Sequence, residues 1–354
     1  MEAASGARDP ELNPSGRRVT TVLGDVDASA LGFVLNHEHL LVRLWIPEDA
    51  RSERFNEPLR WSNLGWVRQY WASSADNTRL TSERLAIQEL HRYKAAGGGT
   101  LVELTLPGAG RRPAALKRIS EATGVHIIMG CGAYVAPTHP SWIRRASAER
   151  IAERLVAEAT YGVGSTGIRA GVIGEIGCSW PLDENERKVL IASALAQRQT
   201  GLPISVHPGR NRKAPFEIID VLDGAGADLE RVAIGHLDRT IQDINGLLRL
   251  ARLGCYLELD FFGLETSYFP FEGVAEGLSD AQRLQLVRGL VDGGYLNRLL
   301  LSQDICQKHR LAKYGGHGYN HLISNVLPWM RKRGFAEREL DSILRTNPAT
   351  FLGH

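Results

Sequence analysis

The chain has 354 residues, of which 43% are hydrophobic and 23% are charged, a composition typical of soluble globular proteins. Lysine and arginine outnumber aspartate and glutamate by only 42 to 40, so the overall charge gives no reason to expect binding to nucleic acid or a membrane surface. The four cysteines form no C-x-x-C pair, which excludes a zinc ribbon or disulfide scaffold and favours reduced thiols in a cytoplasmic protein.

The N-terminal segment 1–18 is rich in alanine, glycine, proline, serine and charged residues, and it lacks the apolar core of a signal peptide. We therefore expect a disordered tail at 1–18. No later segment is long and apolar enough to span a membrane. The length allows two average domains or one large α/β barrel. No linker divides the chain, so we expect a single catalytic domain over 19–354.

Strand-like and helix-like segments alternate along this domain. The first strand is predicted at Phe33–His37, and an irregular stretch, 41–76, with four tryptophans follows it. This stretch either covers the mouth of a pocket or simply packs onto the body of the domain. Seven more strands are predicted in order: Thr100–Thr105, Val125–Cys131, Ala170–Ile176, Pro203–His207, Val232–His236, Tyr256–Phe261 and Leu299–Ser302.

Helices are predicted between these strands, and two or three more after Tyr319. Those between the strands are Ser82–Ala96, Pro113–Thr123, Ser141–Tyr161, Asp183–Thr200, Ala214–Leu222, Thr240–Leu253 and Ser279–Val291. Eight successive strand–helix units predict an α/β fold of the (β/α)8 TIM barrel type. An open doubly wound sheet is the rival, but no G-x-G-x-x-G motif follows an early strand.

Metal-competent side chains stand at the ends of the predicted strands, where the active site of such a barrel forms. Alternate side chains of a strand share a face, so His37 and His39 can bind one metal ion together, although so short a pattern also arises by chance. Glu175 lies in an apolar run and needs a charged partner, either a metal pair or a buried arginine. The later strands add His207, His236 and Asp304. Four imidazoles and two carboxylates predict a site for two divalent ions.

Five segments, in this order, resemble the phosphotriesterase-related proteins of the amidohydrolase superfamily. They are Asn36-His-Glu-His-Leu40, Gly171-Val-Ile-Gly-Glu-Ile-Gly177, Val206-His-Pro-Gly-Arg210, Gly235-His-Leu-Asp-Arg239 and Ser302-Gln-Asp304. The resemblance runs from about Val19 to the end and is closest to animal-type members. It implies a binuclear metal centre at the C-terminal ends of the strands, usually with two Zn2+ ions. His37, His39, Glu175 and Asp304 would bind the buried ion, and His207 and His236 the more exposed ion, with Glu175 bridging.

The founding bacterial phosphotriesterases have a carboxylated lysine as the bridging ligand, whereas the matching position here is Glu175. Metal loading should therefore not depend on bicarbonate. The resemblance implies hydrolysis by a metal-bridging hydroxide whose proton Asp304 passes to the leaving group. Manganese or cobalt would fit the same ligands, and relatives of this fold lead us to expect a homodimer.

Animal-type members of the family hydrolyse N-acetyltaurine to acetate and taurine, so we expect a small N-acyl substrate that carries an anionic sulfonate. The alternative activity is that of a lactonase or phosphotriesterase, which the same centre supports. A degenerate barrel that only binds or scaffolds other molecules is disfavoured, because none of the six predicted ligands is missing.

Basic and aromatic residues near the predicted ligands are candidates for substrate binding. Arg210 and Arg239 each lie three residues after a predicted ligand, and a guanidinium suits a carboxylate, phosphate or sulfonate. Arg212 and Lys213 lie nearby and add to the basic group; the alternative for all of these residues is that they are solvated charges or ion-pair partners of Asp238. Arg210 is the first choice for binding the anion. Tyr134 either donates a hydrogen bond to the substrate carbonyl or packs at the edge of the core. The glycine-rich segment 307–321 is predicted to form a mobile lid.

Overall fold

The computed structural model describes residues 16–48, 51–266, 269 and 276–354. Most of the predicted tail, 1–15, lies outside the described residues. Arg18 already belongs to a strand, one residue before the predicted start of the domain. Within the described part of the chain, no helix is both long enough and apolar enough to cross a lipid bilayer.

Eight parallel strands form the centre of the molecule, and short antiparallel pairs lie at its two ends. In chain order the strands are β1 (Arg18–Thr21), β2 (Gly24–Asp27), β3 (Phe33–Glu38), β4 (Val42–Arg43), β5 (Arg79–Leu80), β6 (Gly98–Glu103), β7 (His126–Cys131), β8 (Val172–Gly177), β9 (Ile204–His207), β10 (Val232–Ile234), β11 (Tyr256–Leu259) and β12 (Leu299–Leu301). The central sheet has the order β3-β6-β7-β8-β9-β10-β11-β12.

Hydrogen bonds between the first and last strands of this order close the sheet. The backbone N–H of Asp304 donates to the His37 carbonyl at 3.1 Å. The Ser302 hydroxyl accepts from the His37 N–H and donates to the His37 carbonyl, both at 2.9 Å. This near-closure confirms the predicted barrel and excludes the open doubly wound sheet.

Helices lie between successive barrel strands and at the end of the chain. They are α1 (Leu64–Gln69), α2 (Glu83–Ala95), α3 (Pro113–Thr123), α4 (Ser141–Arg145), α5 (Ala148–Thr160), α6 (Glu184–Thr200), α7 (Ala214–Gly224), α8 (Leu237–Thr240), α9 (Ile244–Ala251), α10 (Asp280–Asp292), α11 (Leu327–Lys332), α12 (Glu337–Asp341) and α13 (Asn347–Leu352). Their positions agree with the alternation predicted from the sequence, apart from two interruptions and from α1, which lies in the stretch 41–76 that was predicted to be irregular.

Two predicted long helices are each interrupted by a capping residue. The helix expected at Ser141–Tyr161 consists of α4 and α5, because Ser147 is extended and its hydroxyl accepts from the Arg150 N–H. The helix expected at Thr240–Leu253 begins only at Ile244, because Asp243 accepts from the Gly246 N–H at 2.9 Å. Such a side chain satisfies a free N–H of the first turn and so favours a new helix start.

The N-terminal end of the barrel is closed by apolar side chains from the β1–β2 hairpin, the barrel strands and α13. We call this group the basal cluster; it contains Val19, Ala28, Leu31, Val34, Val102, Leu104, Ile128, Val172, Ala233, Tyr256, Leu300, Ala349, Phe351 and Leu352. The chain end joins the same region, since the backbones of Arg18 and His354 exchange hydrogen bonds at 2.9 and 3.1 Å. The opposite end of the barrel is therefore the end left for a binding site.

In its described residues, the tryptophan-rich stretch 41–76 packs onto the barrel and also reaches the rim of that opposite end. Trp71 is 6% exposed and packs with Ile46, Phe261 and Leu264, which fixes the stretch to the barrel. Trp61 is 79% exposed and lies beside Gly315 at the rim. The stretch thus packs onto the body and also forms one wall above the strand ends.

Candidate metal centre

Strand irregularities present the first predicted ligands at the end of β3 and on β8. On β3, Leu35 pairs with Leu101 and Glu38 with Glu103, so β3 carries one extra residue where His37 lies. A similar shift occurs on β8 around Gly174 and Glu175. Bulges of this kind redirect side chains and are frequent beside active sites.

Only glycine fits before Glu175. The φ angle of Gly174 is +146°, and a Cβ there would lie 2.4 Å from the Ser205 carbonyl oxygen. The close approach of β8 to β9 therefore places the Glu175 carboxylate beside the end of β9. His207 is the last residue of that strand.

Glu175 lies at the centre of the four predicted histidine ligands. Its Oε1 is 3.3 Å from Nε2 of His39. Its Oε2 is 3.0 Å from Nδ1 of His207, 3.4 Å from Nε2 of His37 and 3.5 Å from Nε2 of His236. Among the described residues, imidazoles rather than an arginine surround this carboxylate, so the buried Glu–Arg pair considered from the sequence is not formed.

Asp304 completes the group on the side of His39. Its Oδ1 lies 3.2 Å from Nε2 of His39. The backbone of Asp304 is left-handed, with φ of +46°, and that of His236 is also left-handed, with φ of +52°. Such conformations are strained for these residues and are concentrated at functional sites. The structure thus brings all six sequence-predicted ligands together.

The donor set fits divalent metal ions. Among the described residues, nitrogen and carboxylate oxygen atoms converge within 4.8 Å in three groups: His37, His39 and Asp304; Glu175, His207 and His236; and His37, His236 and Asp260. Nε2 of His37 is buried, and among the described residues it forms no well-directed hydrogen bond, although Oε2 of Glu175 lies 3.4 Å away. A buried nitrogen in that state is costly unless a ligand occupies its lone pair. Imidazole and carboxylate are also the ligands that zinc accepts.

The charges of the group shift its pKa values in opposite directions. Burial alone would raise the pKa of Glu175, but the adjacent histidines outweigh it and hold that pKa well below its usual range. Burial and the charge of His236 lower the pKa of His207 to about 3, so its imidazole is neutral at physiological pH. Burial alone would lower the pKa of His39, but its contacts with Asp304 and Glu175 outweigh burial and raise that pKa to about 10, so a metal ion would displace a proton there.

A second layer of side chains orients the histidines, and the sequence analysis missed it. Oδ1 of Asp260 is 2.8 Å from Nδ1 of His236, and its Oδ2 is 3.3 Å from Nδ1 of His37. The Thr105 hydroxyl lies 2.9 Å from Nδ1 of His39. Contacts of this kind fix the tautomer and direction of a metal-binding imidazole. Asp260 follows β11 directly, so listing polar residues at the end of every strand would have included it.

Tyr134, Arg210 and Arg239 lie on the side of His207. The Tyr134 hydroxyl is 3.3 Å from Nδ1 of His207. Burial and the charge of Glu175 raise the pKa of Tyr134 well above its ordinary value, so the hydroxyl keeps its proton. Burial and the charge of Arg210 lower the pKa of Arg239 to about 10, so its guanidinium remains charged at neutral pH, and the Arg210 guanidinium is charged as arginine side chains in proteins are. Two cations and a hydroxyl donor therefore adjoin the metal-competent group.

The other basic residues of this region have different partners. Arg212 is exposed and forms an ion pair with Asp243. Asp238 binds Arg283 at 2.6 Å, so it is not the ion-pair partner of Arg239 that the sequence allowed. Nη2 of Arg239 instead donates to the Pro208 carbonyl at 2.5 Å. Arg239 is thus fixed beside the β9 loop, and Arg212 points to solvent.

The predicted lid, 307–321, borders a cavity of about 300 Å³ that also touches Phe262, Leu264 and Ile305. Several contacts hold this segment. Glu89 of α2 accepts from the backbone N–H groups of Ala312 and Lys313 at 2.8 and 3.0 Å. The Tyr319 hydroxyl donates to the His39 carbonyl at 2.7 Å, which ties the segment directly to the ligand strand. Its predicted mobility stays a prediction.

Known proteins resemble this chain over nearly its whole length. The model of the phosphotriesterase family matches residues 17–352. N-acetyltaurine hydrolase of Rattus norvegicus is 47% identical over 340 residues, covering 95% of this chain and 97% of that protein. A resiniferatoxin-binding protein from Rhodobacter sphaeroides has a TM-score of 0.90 at 36% identity, covering 97% and 98% of the two chains. The phosphotriesterase homology protein from Escherichia coli, complexed with phosphate in its active site, has a TM-score of 0.76 at 29% identity, covering 91% and 99%.

A nearly closed (β/α)8 barrel with a histidine–carboxylate group at the C-terminal ends of its strands is the architecture of a metal-dependent hydrolase. The match over residues 17–352 and the close relatives assign the chain further: it belongs to the phosphotriesterase family.

Proposed function

We propose that the protein hydrolyses N-acetyltaurine, or closely related small N-acyl amino compounds, to the free amine and acetate, with two divalent ions per chain, Zn2+ by preference, and in the cytoplasm. The observation that carries the catalytic part is the position of Glu175, with His39 on one carboxylate oxygen and three further histidines on the other. The substrate is supported by the relative at 47% identity that is named N-acetyltaurine hydrolase.

The residues divide into two sets that share one carboxylate. His37, His39 and Asp304 would hold one ion, His207 and His236 the other, with Glu175 between them. Two such ions, when bound, supply Lewis acidity at the substrate carbonyl and a water nucleophile at neutral pH. Because Glu175 is ionised without any modification, the centre forms without carbon dioxide.

Asp304 is the proposed proton carrier. A carboxylate oxygen of Asp304 accepts a proton from the attacking water and delivers it to the amide nitrogen as the C–N bond breaks. The products are acetate and the amine. The Tyr134 hydroxyl, which stays protonated, donates a hydrogen bond to the substrate carbonyl as negative charge develops on its oxygen.

Arg210 and Arg239 are the proposed binding site for the sulfonate. Their like charges lie close enough for Arg210 to lower the pKa of Arg239, an arrangement that an anion between them would stabilise. Guanidinium groups suit a sulfonate because they present several donors in a fixed plane. A lactone or neutral phosphotriester has no group that needs these cations.

The first test is acetate release from N-acetyltaurine by zinc-loaded protein, beside a sample from which metal has been removed by a chelator. We expect turnover only in the loaded sample and recovery after zinc is added back. Hydrolysis of a lactone or phosphotriester by the same sample, with N-acetyltaurine untouched, would replace the proposed activity by the alternative one.

The second test locates the sulfonate. Arg210→Ala should lower kcat/KM for N-acetyltaurine by about 100-fold or more, because a buried charge-assisted contact is lost, and should affect a neutral N-acetyl amine far less. Arg212→Ala is the matched control on the same loop, since its side chain is exposed and pairs with Asp243. Equal losses on charged and neutral substrates would remove Arg210 from the anion site.

A further inference from the structure

Arg283, a residue of α10 that touches none of the predicted metal ligands, forms a connected set of contacts behind the metal-competent group. The Arg283 side chain is 1% exposed, and that of its partner Asp238 is 0% exposed. We propose that Arg283 is a positioning residue that holds Asp260, and through Asp260 the metal-binding face of His236. The proposal rests on the proposed function for its reaction, but its contacts do not depend on the substrate.

Asp260 fixes His236 through two contacts. Oδ1 of Asp260 is 2.8 Å from Nδ1 of His236, and its Oδ2 accepts from the backbone N–H of His236 at 2.9 Å. Both contacts together fix the imidazole plane and leave Nε2 directed toward Glu175 and His207. A tilt of Asp260 would therefore turn the nitrogen that is available to the metal.

Asp238 in turn binds the backbone that carries Asp260. Asp238 accepts from the N–H of Phe261 at 3.0 Å and lies 3.4 Å from the N–H of Asp260. The ends of β10 and β11 are thus joined twice. Asp260, after β11, binds His236, and Asp238, two residues after His236, binds the backbone after β11.

Arg283 binds both ends of the loop that follows β11. Its Nε donates to Asp238 at 2.6 Å, and its Nη1 donates to Asp280 at 2.9 Å. Its Nη2 donates to the Leu264 carbonyl at 3.1 Å. Asp280 in turn accepts from the Gly263 N–H at 2.9 Å.

One planar guanidinium therefore fixes the loop from Asp260 to Leu264, and it also compensates two buried carboxylates. A lysine ammonium cannot reproduce this, because it is a compact charge on a flexible stem rather than a rigid fork of donors. The role consequently depends on shape as well as charge, which makes Arg283→Lys an informative variant.

The experiment compares Arg283→Lys with Arg288→Lys, a control on the same helix whose arginine pairs with Asp292 and Glu339 at the surface. Zinc affinity is measured by competition with a chromogenic chelator, and thermal unfolding of the metal-free proteins is followed beside it. We expect Arg283→Lys to weaken binding of one of two zinc ions by about 10- to 100-fold and to lower kcat more than it changes KM. Arg288→Lys should match the wild type.

A purely structural role predicts a different pattern. If Arg283→Lys lowers Tm but the folded protein binds zinc and turns over substrate like the wild type, the proposal is overturned. Asp238→Asn supplies a second variant, and it should weaken the same zinc ion. In the double variant the two losses should not add, because both act through one contact; full additivity also counts against the proposal. If the wild type fails to hydrolyse N-acetyltaurine, the proposed function falls, whereas the zinc comparison still decides the role of Arg283.

Discussion

The two ends of the barrel are built from opposite kinds of side chain. The basal cluster contains aliphatic and aromatic groups that are almost fully buried, and its only polar group is the Tyr256 hydroxyl. At the other end, imidazoles and carboxylates are buried as well, although the Asp304 side chain is 13% exposed. Burial of apolar groups stabilises a fold whatever is bound, whereas buried charges are costly without partners. One end of the barrel therefore provides stability, and the other depends on its ligands.

The largest expected effect comes from removing the proposed proton carrier. Asp304→Asn keeps the size of the side chain and most contacts, so far-UV circular dichroism should be unchanged. The kcat for N-acetyltaurine should fall by about 100- to 10,000-fold, the usual contribution of a general acid–base. Asp292→Asn, at an exposed site, is the control. Near-normal turnover by the Asp304 variant would assign proton transfer to another residue.

Next in size is the loss of the shared carboxylate. Glu175→Gln removes the negative charge that lies among four imidazoles, so the metal content after gel filtration should fall below two ions per chain. Atomic emission measures this content directly. A variant that retains two tightly bound ions would show that Glu175 does not bridge them.

A substitution in the basal cluster should lower stability and leave kcat nearly unchanged. Phe351→Ala removes a ring whose centroid lies 5.1 Å from that of the Tyr256 ring. The free energy of unfolding should therefore fall by about 3–5 kcal/mol. The kcat of the folded, metal-loaded variant should stay within about twofold of the wild type, because the change is at the far end of the barrel. Leu253→Ala, at a site 39% exposed, is a control expected to change stability little. A large fall in kcat would show that the basal cluster and the metal-competent end of the barrel are not independent.

The smallest effect is expected at the surface of the β1–β2 hairpin, where Arg169 binds Asp25 at 2.5 Å. The Arg169 hydrogen bond lowers the pKa of Asp25, so the pair stabilises the fold above the unfolded pKa, about 3.9, and this contribution is lost as the pH falls through the folded value. Arg169→Ala should therefore cost under about 1 kcal/mol at pH 7 and almost nothing near pH 2. Unfolding in urea at both pH values measures the difference. An equal loss at both would mean that packing rather than charge is responsible.

Local patterns of residues were enough to predict the barrel and the position of its candidate site. Alternating strand and helix patterns arise from local periodicity, which each segment carries within itself. Parallel strands of a barrel bring their C-terminal ends together, so His37, Glu175 and His207 could be grouped before any distance was known. The order of motifs then indicated the family.

Which atoms come into contact, by contrast, depends on how the elements pack together. Arg283 lies on a helix that its own sequence does not distinguish from an exposed one, and only the packing of α10 against the β11 loop buries it beside Asp238. The left-handed backbone at His236 and Asp304 likewise exists because neighbouring strands and loops hold it. Contacts between distant segments depend on how all the elements pack, and local patterns of residues carry no record of that packing.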